Sequence, residues 1–493
     1  MSTHELIRNY IDGEWTAPQG GRTARNINPA TGESVGEVVV SGRDEALAAV
    51  AAAKAALPGW KRTPAPKRAE VMARAAALML ARKEELSLAL TLEEGKTLHE
   101  ARGEVQRSIN VLEFQAGEGR RLNGETVPSE FGSTFCYTKR EPLGVVAVVT
   151  PWNFPVSIPT WKIAPALVTG NTVVFKPASI TPWTAKIIVE IFAAAGAPRG
   201  TINVVFGPGS SVGDVLVTHP DVAAVTFTGS NEIGTKLYVD AARSVKKVLC
   251  EMGGKNPVIV CDDADLELAA TGTVQGAFGS TGQRCTATSR AVVMESVLDK
   301  YLALLVEKTR ALVVGDGTKP GVIVGPAVDI KQFETDLHYI EIGKQEATLV
   351  LGGGRLTEGD LAKGLFVAPT IFKDVTHGMR IAQEEVFGPV LSVIAVKDFD
   401  EALEVANDTR YGLASAIYTR DMGRVFQYAD RSEAGILHVN NPTMGGEAQL
   451  PFGGVKATGV GGREMGKTAI EFFTEWKTVY VDYTGAVRTT NVY

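Results

Sequence analysis

Apolar positions in the first quarter of the chain repeat every three to four residues. Stretches 42–55, 66–82 and 96–119, rich in Ala, Leu, Glu, Lys and Arg, predict helices. Residues 9–27 precede them and read as a small strand pair around an Asp12-Gly13 turn. From Leu143 the period changes. Short, continuous apolar runs recur at 145–150, 172–175, 202–206, 222–227 and 247–250, with amphipathic stretches 182–195, 212–218 and 231–242 between them. β-branched runs alternating with helices predict a parallel sheet covered on both faces, with a ligand beyond the carboxyl ends of its strands.

A second β/α set follows: a strand at 257–260, helices at 266–278 and 298–313, and strands near 386–396 and 435–439. Residues 449–466 carry six glycines and read as loop. The alternating stretch 475–482 predicts a strand left over for pairing with another subunit, and 134–140 is a second extended stretch able to join it.

Composition narrows the class. The 493 residues, 45% hydrophobic and 22% charged, suit a globular chain of two to four domains and exclude intrinsic disorder. Fifty basic against 56 acidic residues give −6, which leaves no basic footprint for nucleic acid. The sequence lacks an apolar run long enough for a membrane helix and a signal-like N-terminus. Four scattered cysteines, Cys136, Cys250, Cys261 and Cys285, form neither a disulfide framework nor a C-x-x-C site. The expectation is a cytoplasmic protein with reduced thiols, no bound metal and no membrane partner.

Three positions carry candidate chemistry. Cys285 lies in the polar turn Gly-Ser-Thr-Gly-Gln-Arg-Cys285, beside Arg284, with a helix able to start just after it. A cationic neighbour and a helix N-terminus would both favour the nucleophilic thiolate. Glu251 ends an apolar strand ahead of Gly253-Gly254, a setting for a base with raised pKa. Asn153 sits between Pro151 and Pro155 in a stiff loop and suits an oxyanion donor. Each has a plainer alternative: a buried small thiol, a satisfied ionic contact, a turn-capping amide. Three further features point to a dinucleotide: Gly229-Ser230 between a strand and a helix, Lys176 at a strand end, and Glu385 with Phe387.

In chain order, Pro151-Trp-Asn-Phe-Pro155, Lys176-Pro-Ala, Phe227-Thr-Gly-Ser230, Glu251-Met-Gly-Gly254, Gly282-Gln-Arg-Cys285, Glu385-Val-Phe-Gly-Pro389 and Pro451-Phe-Gly-Gly454 resemble the aldehyde dehydrogenase superfamily over essentially the whole chain. The resemblance implies a Rossmann-like parallel-sheet cofactor domain (1–123, 142–250, with a return at 441–470), an α/β catalytic domain (251–440), and a small β oligomerisation element (124–141, 471–493). It implies Cys285 as nucleophile, Asn153 with the Cys285 N–H as oxyanion hole, Glu251 as base, and Lys162 and Glu464 as a proton relay. Trp152, Lys176, Ser179, Gly209, Gly229, Ser230, Glu385 and Phe387 would hold the cofactor. Phe154, Trp161, Arg284 and Phe452 would line the substrate tunnel. Ser179 stands where many NAD-preferring relatives carry Glu, which implies NADP as the preferred cofactor, with NAD possible.

Glu251 implies water as acyl acceptor. The 438–452 stretch resembles bacterial 2-oxoglutarate-semialdehyde (2,5-dioxopentanoate) dehydrogenases, with Arg284 or Arg290 as candidates to meet a substrate carboxylate. A broad-range aliphatic or aromatic aldehyde oxidiser is the alternative substrate reading. A homodimer or homotetramer is implied. A non-catalytic protein of the same fold, or a thiol esterase, would not need all of these residues together.

Overall fold

In a computed structural model, residues 6–18 and 20–485 are described. The ends of the expected first and last segments, 1–5 and 486–493, lie outside them. The apolar runs form an eight-stranded sheet in the order Gly459–Val460, Lys247–Glu251, Val222–Thr228, Val145–Val149, Thr172–Lys176, Ile202–Val204, Asn9–Ile11, Glu14–Thr16. Its five central strands are parallel, and the outer ones antiparallel. Alternate side chains face opposite ways: Val146, Val148, Val173 and Phe175 join one apolar cluster, while Val145, Ala147 and Val174 join another. That doubled burial is why these strands read as continuous apolar runs. Chain order reverses between Val145–Val149 and Val222–Thr228, and a crevice opens there beyond the strand ends.

A seven-stranded sheet follows, in the order Thr348–Leu351, Thr370–Lys373, Val390–Val396, Thr288–Met294, Asn256–Val260, Ala414–Tyr418, Ile436–Val439, parallel except for its first member. Thr474–Asp482 pairs antiparallel with Thr134–Pro142 in a third, three-stranded sheet and forms its edge. Trp476, Tyr480 and Phe135 are exposed on it.

Several sequence expectations need correction. The first helix runs Arg43–Arg62, through Pro58, well past residue 55. Lys83–Glu94 is a further helix with Arg82 at its N-cap, hidden because no glycine or proline separates it from Ala65–Ala81. The strands Thr288–Met294, Thr348–Leu351, Thr370–Lys373 and Ala414–Tyr418 and the helix Ile330–Glu346 were not anticipated. Residues 449–466 are not all loop: Gly459–Val460 pairs with Cys250 and Glu251, and Phe452 bridges Glu464. No helix starts after Cys285; the β-branched run Thr288–Met294 continues as a central strand instead.

Candidate active site

Cys285 follows a turn in which Ser280, Thr281 and Gly282 all adopt left-handed backbone, at φ 48°, 59° and 71°. Such conformations cost non-glycine residues about 1–3 kcal/mol each and persist only where surroundings enforce them. Here Glu100 accepts from the Ser280 N–H (2.6 Å), and the Thr281 hydroxyl donates to the Gly325 carbonyl (3.0 Å). The amide of Asn256 donates to the carbonyls of Cys285 and Ala287, both at 2.8 Å. Cys285 is the one partly exposed cysteine; Cys136, Cys250 and Cys261 are buried.

The sequence reading of the thiol needs revision. Burial pushes Cys285 up to about 12, and the carboxylates of Glu385 and Glu251 add to the rise. Arg284, expected to favour the thiolate, is instead paired with Glu100 at 3.0 Å and touches Met444. The cation that opposes the rise is Arg107, which the sequence reading missed. Arg290 meets no substrate: it is fully buried and donates to the carbonyls of Lys255, Val405 and Ala406.

Asn153 is buried, with its Nδ2 3.2 Å from the Gln283 carbonyl. Its own carbonyl accepts from Lys96 at 2.6 Å, and Lys96 is tied to Glu104, which also accepts from the N–H groups of Val156 and Ser157. This buried ion pair fixes the loop carrying Asn153; neither partner was singled out from sequence.

Glu251 ends its strand fully buried. One oxygen accepts from the Gly454 N–H at 3.3 Å and the other has no partner. Gly453, at φ +149°, closes over it; a Cβ there would overlap the carboxylate. Glu464 ion-pairs with Lys162, and accepts from the Trp161 indole N–H at 2.6 Å. Lys162 also donates to Thr226 at 2.8 Å. Burial, then the neighbouring Glu464 carboxylate, hold Glu251 well above the usual carboxylate range, with Lys162 pulling against them. Lys162 is held by Glu464 and Thr226, and acts on Glu251 through its charge alone.

The crevice at the strand reversal has a volume of about 900 Å³. Trp152, Asn153, Lys176, Gly209, Gly229, Ser230, Glu385, Phe387 and Cys285 line it. Ser179 is exposed on the turn after Lys176 and is not among the lining residues. The lining fits a dinucleotide. Burial pushes Lys176 down to about 8, and among the described residues its Nζ reaches only the Pro177 carbonyl at 3.3 Å, so its donors remain for ribose hydroxyls. Ser230 caps the helix Asn231–Ala242, whose N-terminus faces the crevice and suits a diphosphate. Glu385 accepts from Gly254 at 2.9 Å, and Phe387 stands edge-on to Trp152 at 5.5 Å. Among the described residues no group of His, Cys, Asp and Glu could hold a metal ion, and no helix is long and apolar enough to cross a membrane.

Cys285 also packs against an apolar cluster of Val111, Ile158, Trp161, Phe452 and Met465, with Phe154 and Phe114. Trp161 and Phe452 lie 5.4 Å apart, centroid to centroid, and Lys96 sits 4.0 Å over Phe154. The Cys285 thiol thus stands between a dinucleotide-sized cleft and an aromatic chamber.

Residues 15–479 match the aldehyde dehydrogenase family. The chain belongs to that family. Its activity is NAD(P)-dependent aldehyde oxidation. Among relatives of the aldehyde dehydrogenase, an alpha-ketoglutaric semialdehyde dehydrogenase of Bacillus subtilis is 46% identical, covering 96% of this chain and 97% of its own. A 2,5-dioxopentanoate dehydrogenase of Saccharolobus solfataricus is 45% identical, covering 93% and 96%. The betaine aldehyde dehydrogenase of Staphylococcus aureus, solved in complex with NAD+, superposes with a TM-score of 0.96 at 36% identity, over 98% of this chain and 96% of that one.

Proposed function

We propose that this aldehyde dehydrogenase oxidises 2-oxoglutarate semialdehyde (2,5-dioxopentanoate) to the dicarboxylic acid, with water as acyl acceptor. The substrate rests on the likeness to three relatives of that activity, each 45–46% identical over nearly the full chain. Cys285 attacks the aldehyde carbon as thiolate, its proton having passed to water, and the C–S bond forms as the carbonyl π bond opens to an oxyanion. The Asn153 amide and the Cys285 N–H hold the oxyanion. When bound, the nicotinamide supplies the hydride acceptor. Glu251 takes a proton from the water that hydrolyses the resulting thioester, and Glu464 with Lys162 passes that proton on. Purified enzyme with a panel of aldehydes, each with NAD and NADP, tests this by absorbance of the reduced nicotinamide. The highest kcat/KM is expected for 2-oxoglutarate semialdehyde; a higher value for neutral aldehydes would select the broad-range reading.

Asn153→Ala is expected to lower kcat on the order of 10²–10³-fold with cofactor affinity unchanged, measured by turnover and by fluorescence titration of NADP.

NADP is the preferred cofactor in this reading. A carboxylate at position 179 would repel a 2′-phosphate by up to about 4 kcal/mol at ~4 Å and an effective dielectric near 20; Ser179 carries no such charge. Ser179→Glu is expected to lower kcat/KM for NADP at least ~10-fold and leave that for NAD within about threefold. Equal loss with both cofactors would sink this role.

Residues 1–123 and 142–250, with 441–470, form the cofactor unit in this reading, and 251–440 the catalytic unit. The exposed edge Thr474–Asp482 joins subunits into a homodimer or homotetramer. Four unpaired cysteines suit action in the reducing cytoplasm.

A further inference from the structure

Lys96, Lys162 and Arg284 each have a carboxylate partner: Glu104, Glu464 and Glu100. Arg107 has none within ion-pair distance among the described residues. It projects from the helix Leu98–Glu118 on the same face as Val111 and Phe114, into the cluster against which Cys285 packs. Its guanidinium carbon lies 4.9 Å from the Trp161 ring centroid and 5.8 Å from that of Phe452. One Nη is 3.4 Å from the Met465 sulfur; the Nε is buried with no partner. Gly446 comes close from the other side: a Cβ there would stand 2.5 Å from the guanidinium.

A partly buried guanidinium with a buried, unpartnered Nε and no carboxylate in ion-pair contact is costly, and stacking on aromatic rings offsets only part of that cost. The arrangement is stable in function where a ligand brings the missing anion. The guanidinium is planar, and its free N–H groups match the two oxygens of a carboxylate. Arg107 is also near enough to Cys285 to work against the rise of its thiol. A short ω-oxo acid has this pattern: an aldehyde at one end, an apolar middle and a carboxylate at the other.

We infer that Arg107 is the anion-binding, specificity-determining residue of the substrate chamber, gripping the remote carboxylate of an ω-oxo acid whose aldehyde carbon lies at Cys285. This inference rests on the substrate class proposed above. It also separates the roles of the arginines: Arg284 braces the turn through Glu100, Arg290 braces the second sheet, and Arg107 meets substrate.

The test compares wild type, Arg107→Met and Arg107→Lys on 2-oxoglutarate semialdehyde, succinate semialdehyde and unbranched neutral aldehydes of matching length, at saturating cofactor. Methionine keeps the length and fills the site beside Met465 without charge. Arg107→Met is expected to lose about 10²-fold or more in kcat/KM on the carboxylated substrates, mostly through KM, and at least ~10-fold less than that on neutral aldehydes, whose loss reads only the cation removed from beside the thiol, through kcat. Arg107→Lys is expected to recover part of the loss. Retained oxidation of neutral aldehydes shows the variant is folded. If wild type favours the carboxylated substrates and Arg107→Met keeps that preference, the inference is overturned and the substrate reading stands. If wild type prefers another carboxylated aldehyde and Arg107→Met abolishes the preference, Arg107 stands and the named substrate falls. If wild type shows no preference for carboxylated aldehydes, both fall.

Discussion

Cys285→Ala is expected to abolish aldehyde oxidation. Loss of the nucleophile from a site that acts as a unit costs on the order of 10⁶ in kcat, below detection in a nicotinamide assay. The change removes one sulfur from a partly exposed position between a polar turn and a strand. Folding is therefore expected to survive, with stability within about 1 kcal/mol of wild type. The rest of the cleft wall, including Lys176, Ser230 and Glu385, is untouched, so NADP should still quench fluorescence of the lining Trp152. Turnover above one per cent of wild type would remove Cys285 from the mechanism.

Glu251→Gln is expected to split the reaction in two. Carbonyl attack and oxidation need Cys285 and Asn153, whereas thioester release needs a base. Rapid mixing should show a burst approaching one reduced cofactor per site, followed by turnover slowed about 10²–10⁴-fold. The pH profile gives a second readout. The base acts deprotonated, and burial beside Glu464 holds Glu251 above its ordinary value. Wild-type kcat should therefore fall as pH drops through a value above the usual carboxylate range, and recover as pH rises. Glutamine does not titrate, so the acid limb should vanish with the burst retained. A variant that shows no burst but keeps the limb would move the base elsewhere.

Much of this site was legible in the sequence because its chemistry is local. Asn153, Glu251 and Cys285 each stand at a strand end or in a stiff turn, and short motifs record such places. Arg107 was not legible. Within Glu104-Val-Gln-Arg107-Ser it reads as a solvated position on an amphipathic helix. Only the later segment carrying Gly446, Phe452 and Met465, folded back over that helix, makes it a partly buried cation among aromatic rings. The same long-range packing explains Arg284 and the thiol. Adjacency in sequence placed a cation beside sulfur, but Glu100, 184 residues away, neutralises it.

The fold shows the same division. The central parallel strands of the eight-stranded sheet stood out because both faces are buried, whereas the equally buried Thr288–Met294 and Ala414–Tyr418 of the second sheet, with Ser, Arg and Ala among their residues, did not. Thr348–Leu351, at a sheet edge and half-exposed, lacked that signal. Gly459–Val460 was hidden by the glycines that let it pass close to Glu251.

That last pairing has a consequence for how the molecule is made. A ribosome emits the nucleophile and its base long before the residues that finish their surroundings. Gly453 and Gly454 over Glu251, Glu464 on Lys162, and the Gly459–Val460 strand all lie at least 168 residues beyond Cys285 (453 − 285). A chain stopped before residue 453 thus lacks both the cover over Glu251 and the partner of Lys162, and is expected to be inactive toward aldehydes.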